Sequence, residues 1–116
     1  MIALTGTARI YLYREAADLR KSFDGLTGLV RTHLSVDVFS GSLFVFVNRR
    51  HRLVKILYWD RDGFALWAKR LERGTFRLPQ PGSAQPEMSA TELTMLLEGI
   101  TPLRVGMRYH RPATSG

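Results

Sequence analysis

The sequence predicts an α+β fold: a mainly antiparallel β-meander sheet packed with one N-terminal helix, plus a C-terminal helix after a Pro-rich linker. Three observations predict it. Two β-prone apolar runs, LFVFVN at 43–48 and LVKILYW at 53–59, flank a short loop crowded with arginine. Asp62-Gly63 then separates the second run from a third, FALWAKRLER at 64–73, and Asp-Gly between apolar runs is a hairpin signal. Apolar residues at helical spacing mark two other places, 18–34 and 89–100.

The elements follow in order. Arg9 to Tyr13, RIYLY, alternates and is β-branched and aromatic, which predicts a strand with Ile10 and Leu12 on one face and Tyr11 and Tyr13 on the other. Asp18 is a good N-cap residue and opens the predicted Asp18–Leu34 helix. Leu19, Phe23, Leu26 and Val30 form its apolar face, with Gly25 and Gly28 off that face. Val36 to Phe39 reads as a short strand before a Ser40-Gly41 turn. Residues 43–48 lack clean alternation, which suits a buried strand, and 48–52 is too charged to be anything but a loop. Phe64, Trp67, Ala68 and Leu71 also fit helical spacing, but the hairpin signal favours a strand, which Thr75 to Leu78 extend past Gly74. Residues 79–87, PQPGSAQPE, hold three prolines and read as an exposed linker. Ser89-Ala90-Thr91-Glu92 matches a capping box, and Leu93, Leu96, Leu97 and Ile100 follow on one helical face. The expected division is a core at 1–78, a linker at 79–88 and a helix and tail at 89–111, all within one domain.

Composition bounds the function. The 116 residues suit one domain, and a hydrophobic fraction of 45% suits a folded core. The absence of cysteine excludes disulfides, thiolate metal sites and cysteine nucleophiles. No apolar run reaches the roughly 18 residues of a membrane span, and MIALTGTARIYLYRE lacks a signal-peptide layout, so a cytoplasmic location with no membrane partner is expected. The net charge of +7 and pI near 10.6 point to a polyanionic partner, most simply nucleic acid. Much of that charge lies in 41–76, which carries eight Lys/Arg against three Asp/Glu and both tryptophans.

Enzymatic signals are weak. His33, His51 and His110 are scattered, with no HxxxH or HExxH spacing. Among Asp24, Asp37, Asp60, Asp62, Glu72 and Glu98, the pair Asp60 and Asp62 brackets a turn, where Asp is favoured for local hydrogen bonding. A small metal-dependent nuclease built on them is the least favoured alternative. No GxSxG, Walker A or GxGxxG sequence is present. The expectation is a protein with no catalytic residues, cofactor or metal. The candidate site is cationic: Arg49, Arg50 and Arg52 on the loop, with Lys55, Lys69, Arg70 and Arg73 on the neighbouring strands as phosphate contacts. Lys55 and the Lys69/Arg70 pair are expected near the same part of the sheet. Tyr58, Trp59 and Trp67 could stack on bases, but core packing is favoured.

Asp18-Leu19-Arg20-Lys21-Ser22-Phe23-Asp24-Gly25-Leu26 resembles the DxRKxFDGL opening of the TnpB accessory proteins of insertion sequences, also called Orf-two-like transposon proteins. The likeness continues through Leu43–Arg50, Lys55–Asp60, Gly63-Phe64, Lys69–Phe76 and Leu96–Ile100. Ser22, where Gly is frequent, and Arg77-Leu78-Pro79, where an aromatic often precedes the proline, are small departures. The resemblance implies a non-catalytic helper of transposition, acting beside a separate transposase and other proteins of the same element. Together with the cationic segment it points to DNA as a partner, at element ends or without sequence preference. It adds Arg20 and Lys21 to the candidate contacts, whether with DNA, with a partner protein, or with Asp24 or Asp60. A protein-interaction adaptor that meets the transposase without touching DNA is the alternative.

Overall fold

The strand Leu43–Val47 (β2) explains the architecture. Its five residues, LFVFV, are all buried, so both of its faces must be covered. In the computed structural model, which describes residues 8–78 and 87–99, it lies at the centre of a five-stranded sheet. Ile10–Leu12 (β1) pairs with it in parallel, and Leu53–Asp60 (β3) antiparallel. Gly63–Arg70 (β4) pairs with β3 across the expected turn, and Glu87–Met88 (β5) pairs antiparallel with β1. The order is β4-β3-β2-β1-β5.

Strand alternation sends apolar side chains to two separate cores. On one face, Ile10, Leu12, Leu43, Val45, Val47, Val54 and Ile56 pack against Leu93, Leu96 and Leu97 of the helix Ala90–Glu98 (α2). On the other, Tyr11, Phe44, Phe46 and Leu57 pack against Leu26 of the helix Phe23–Leu29 (α1) and against Val30 of the π-helical turn Val30–Leu34 that continues it. The sheet is thus the middle of three layers. The capping box forms as predicted: Ser89 Oγ accepts from Glu92 N at 3.0 Å and Glu92 Oε1 accepts from Ser89 N at 2.8 Å. Gly99 closes α2 in the left-handed region.

Several local expectations are corrected. The first helix starts at Phe23, not Asp18. Asp18 instead closes a tight turn, its carboxylate accepting from Arg20 N and its carbonyl from Lys21 N, so its capping capacity is used before the helix begins. Leu19 is buried from that turn rather than from a helix, and Phe23 is 40% exposed rather than in the core. Residues 36–39 form a turn, because Asp37 takes Phe39 N on its carboxylate and Ser40 N on its carbonyl. β4 ends at Arg70. The 71–78 segment is not a strand: Leu71 N and Phe76 N donate to Arg52 O and His51 O, and Phe76 fills the α2-side core. Glu87 and Met88, the end of the expected linker, pair with β1, where Arg9 meets Glu87 at 3.3 Å. Residues 79–86, Ile100 and the expected tail lie outside the described residues.

Candidate nucleic-acid interface

The cationic loop is held as a preset turn. Asn48 Oδ1 accepts from Arg52 N at 2.9 Å and Leu53 N at 3.1 Å, while Asn48 O accepts from His51 N at 3.0 Å. His51 takes a positive φ of 57° to close it. Arg49 and Arg50 stand exposed at the tip. Beside this loop runs the 16–20 segment, joined by a parallel bridge between Ala17 and Asn48 and by Ala17 N to Val47 O at 3.2 Å. Lys55 of β3 reaches across and donates from Nζ to Leu19 O at 2.8 Å, which staples that segment to the sheet.

These parts enclose a cleft of about 920 Å³ on the α1 side of the sheet. Its charged lining is Arg20, Arg49, Arg50, Lys55 and Arg70 against Asp18, five cations to one carboxylate. Arg20 is clasped by Asp18 through two parallel contacts of 2.9 Å, Nε to Oδ1 and Nη2 to Oδ2. Those hydrogen bonds, with the one from Arg20 N, hold the Asp18 carboxyl down at about 2 and push the Arg20 guanidinium up. Among the described residues, no ion pair engages Arg49, Arg50 or Arg70.

Five of the nine expected contacts therefore converge. Lys69 does not. The register Lys55↔Ala68 puts Lys55 and Arg70 on one face and Lys69 on the other, where its Nζ donates to Leu97 O at 2.8 Å and satisfies the end of α2. Lys21, Arg52 and Arg73 are exposed but do not line the cleft. Tyr58 and Trp67 pack against the α2-side core. Trp59 packs edge-on against Phe39 and Phe64, with ring centroids 5.1 Å away in each case, at the other end of the hairpin. Sequence reasoning missed two cleft residues, Asp18 and Asn48. Both are short polar side chains at the edge of a turn, which was the available signal.

Among the described residues, no group of three or more His, Asp or Glu could hold a metal ion, and no helix is long and apolar enough to cross a membrane.

Comparison with known proteins places the geometry in context. Residues 8–106 match a family described as IS66 Orf2 like protein. The chain is similar to the uncharacterized protein y4jC of Sinorhizobium fredii, at 33% identity over 105 residues covering 90% of each chain. It is also similar to y4hO of the same organism, likewise described as uncharacterized, at 34% identity over 92 residues, 79% of this chain and 80% of the relative. No solved structure matches the chain.

Proposed function

The chain belongs to the IS66 Orf2-like family, which carries a transposition accessory role, and from that premise we propose that it is a non-catalytic accessory factor that holds DNA by its phosphates in the cleft beside the 48–52 loop. One observation carries this reading: five cations line one concave surface against a single carboxylate, and Arg49, Arg50 and Arg70 there make no ion pair among the described residues. Guanidinium groups in such a position replace condensed counterions on a phosphate backbone, which gives binding that is salt-dependent and largely indifferent to sequence. The contact set is Arg49, Arg50 and Arg70, with Arg20 and Lys55 at the cleft wall.

Gel shifts on random duplex DNA across a salt series test it. The wild-type protein is expected to bind at low salt and to lose affinity steeply as salt rises. Each phosphate contact contributes about 0.9 to the slope of log K against log salt, so Arg49→Ala/Arg50→Ala should flatten that slope by nearly 2. A protein that ignores DNA at low salt but captures the transposase of its element is an adaptor instead, its cleft meeting an acidic protein surface.

A further inference from the structure

We propose that the outer edge of β4 is a self-docking surface, at which two copies pair their β4 strands antiparallel about a two-fold axis through Leu66. The two edges of the sheet are unlike. β5 has two residues, the short form by which sheets avoid unwanted pairing. β4 has eight, GFALWAKR, with no proline and with charge only at its last two positions. No described residue pairs with its outer side.

The backbone sets which groups face outward. Leu71 N donates to Arg52 O, and the ladder runs from Leu53↔Arg70 to Asp60↔Gly63, so the odd residues of β4 bond to β3. The N–H and C=O groups of Phe64, Leu66, Ala68 and Arg70 point away from the sheet. Two copies of that edge can therefore bond to each other without disturbing β3.

Side chains select the register. With Leu66 opposite Leu66, Phe64 faces Ala68, Trp67 faces Ala65, and Arg70 faces Asp62 just past the strand end. Large meets small twice, and opposite charges meet at both ends. Moving the axis one residue toward Arg70 sets Arg70 against Phe64. Moving it one residue the other way sets Lys69 against Arg61. Phe64, Leu66 and Trp67 are only half-buried and would lose remaining exposure in the pair. The occupant that fits is a second copy of this chain.

The test is the mass in solution without DNA, by light scattering and sedimentation over a concentration series. The wild-type chain is expected at twice its 13.2 kDa. Asp62→Arg sets two arginines against each other and should shift the mass to that of one chain, and Asp62→Arg/Arg70→Asp should restore the doubled mass. Ala68→Pro removes an outward N–H that β3 does not use, and should leave a folded single chain, with folding checked by circular dichroism. A folded wild-type protein at single-chain mass throughout overturns the proposal, as does doubled mass that survives both Asp62→Arg and Ala68→Pro. A charge swap that stays single-chain overturns the register. Because DNA is absent, these outcomes are independent of gel-shift results.

Discussion

Asp18 does two things at once: it shapes the turn before α1 and it withdraws part of the charge of Arg20 from the cleft. Its carboxyl sits at about 2 rather than the ordinary 3.8, chiefly through its hydrogen bonds with the Arg20 side chain and backbone. A folded-state value below the unfolded one means that this contribution to stability is fully present above about pH 4 and is lost as pH falls toward 2. Denaturation midpoints between pH 5 and pH 2 should therefore fall more for wild-type protein than for Asp18→Asn, which retains an acceptor for Arg20 N but has no charge to titrate. Equal falls would place the acid sensitivity elsewhere. The two glycines of α1 make the second prediction at this scale. A Cβ on Gly25 would lie 2.8 Å from Lys21 Cβ, whereas one on Gly28 would meet nothing within 4 Å. Gly28→Ala should raise stability by about 0.5–1 kcal/mol, as helix propensity dictates. Gly25→Ala should lower it, because the nearest atom, Lys21 Cβ, is bonded directly to the main chain and can move only if the backbone shifts. Thermal melts of the pair decide this. The same contact gives a physical reason for glycine in the Phe23-Asp24-Gly25-Leu26 stretch.

Among the elements, what was legible in the sequence was what local chemistry determines. The capping box and Gly99 placed α2, and the Asp60–Gly63 turn placed the β3–β4 hairpin. What was not legible depends on partners distant in the chain. The parallel pairing of β1 with β2 and the two-residue β5 exist because other strands are there to receive them. Val36 to Phe39 has strand-like composition, yet it turns because Asp37 bonds its own backbone, a local option that strand propensity does not count. The cationic site divides in the same way. Arg49 and Arg50 on a charged loop were readable outright. The division of Lys55 and Arg70 from Lys69 follows from counting along the hairpin from Asp60↔Gly63, since neighbours on a strand face opposite ways. The part played by Arg20 was not readable from spacing, because it needs the 16–20 segment to lie beside Asn48.

For the whole molecule, one sheet serves two faces that are chemically separate. The cleft lies on the α1 side, and α2 with its Lys69 contact lies on the other. Lys69→Met should therefore lower stability by about 1 kcal/mol, or roughly 4 °C in Tm, through loss of a charge-assisted bond to the end of α2. On the proposed reading, the salt slope of DNA binding should stay unchanged. A flattened slope would show that the α2 face also meets the polyanion. The turn tied by Asn48 has a further consequence. A flexible arginine arm must give up backbone freedom when it binds, and that loss opposes association. Here the main chain under Arg49 and Arg50 is already fixed when the protein folds, so on the proposed reading complex formation need only quiet two side chains.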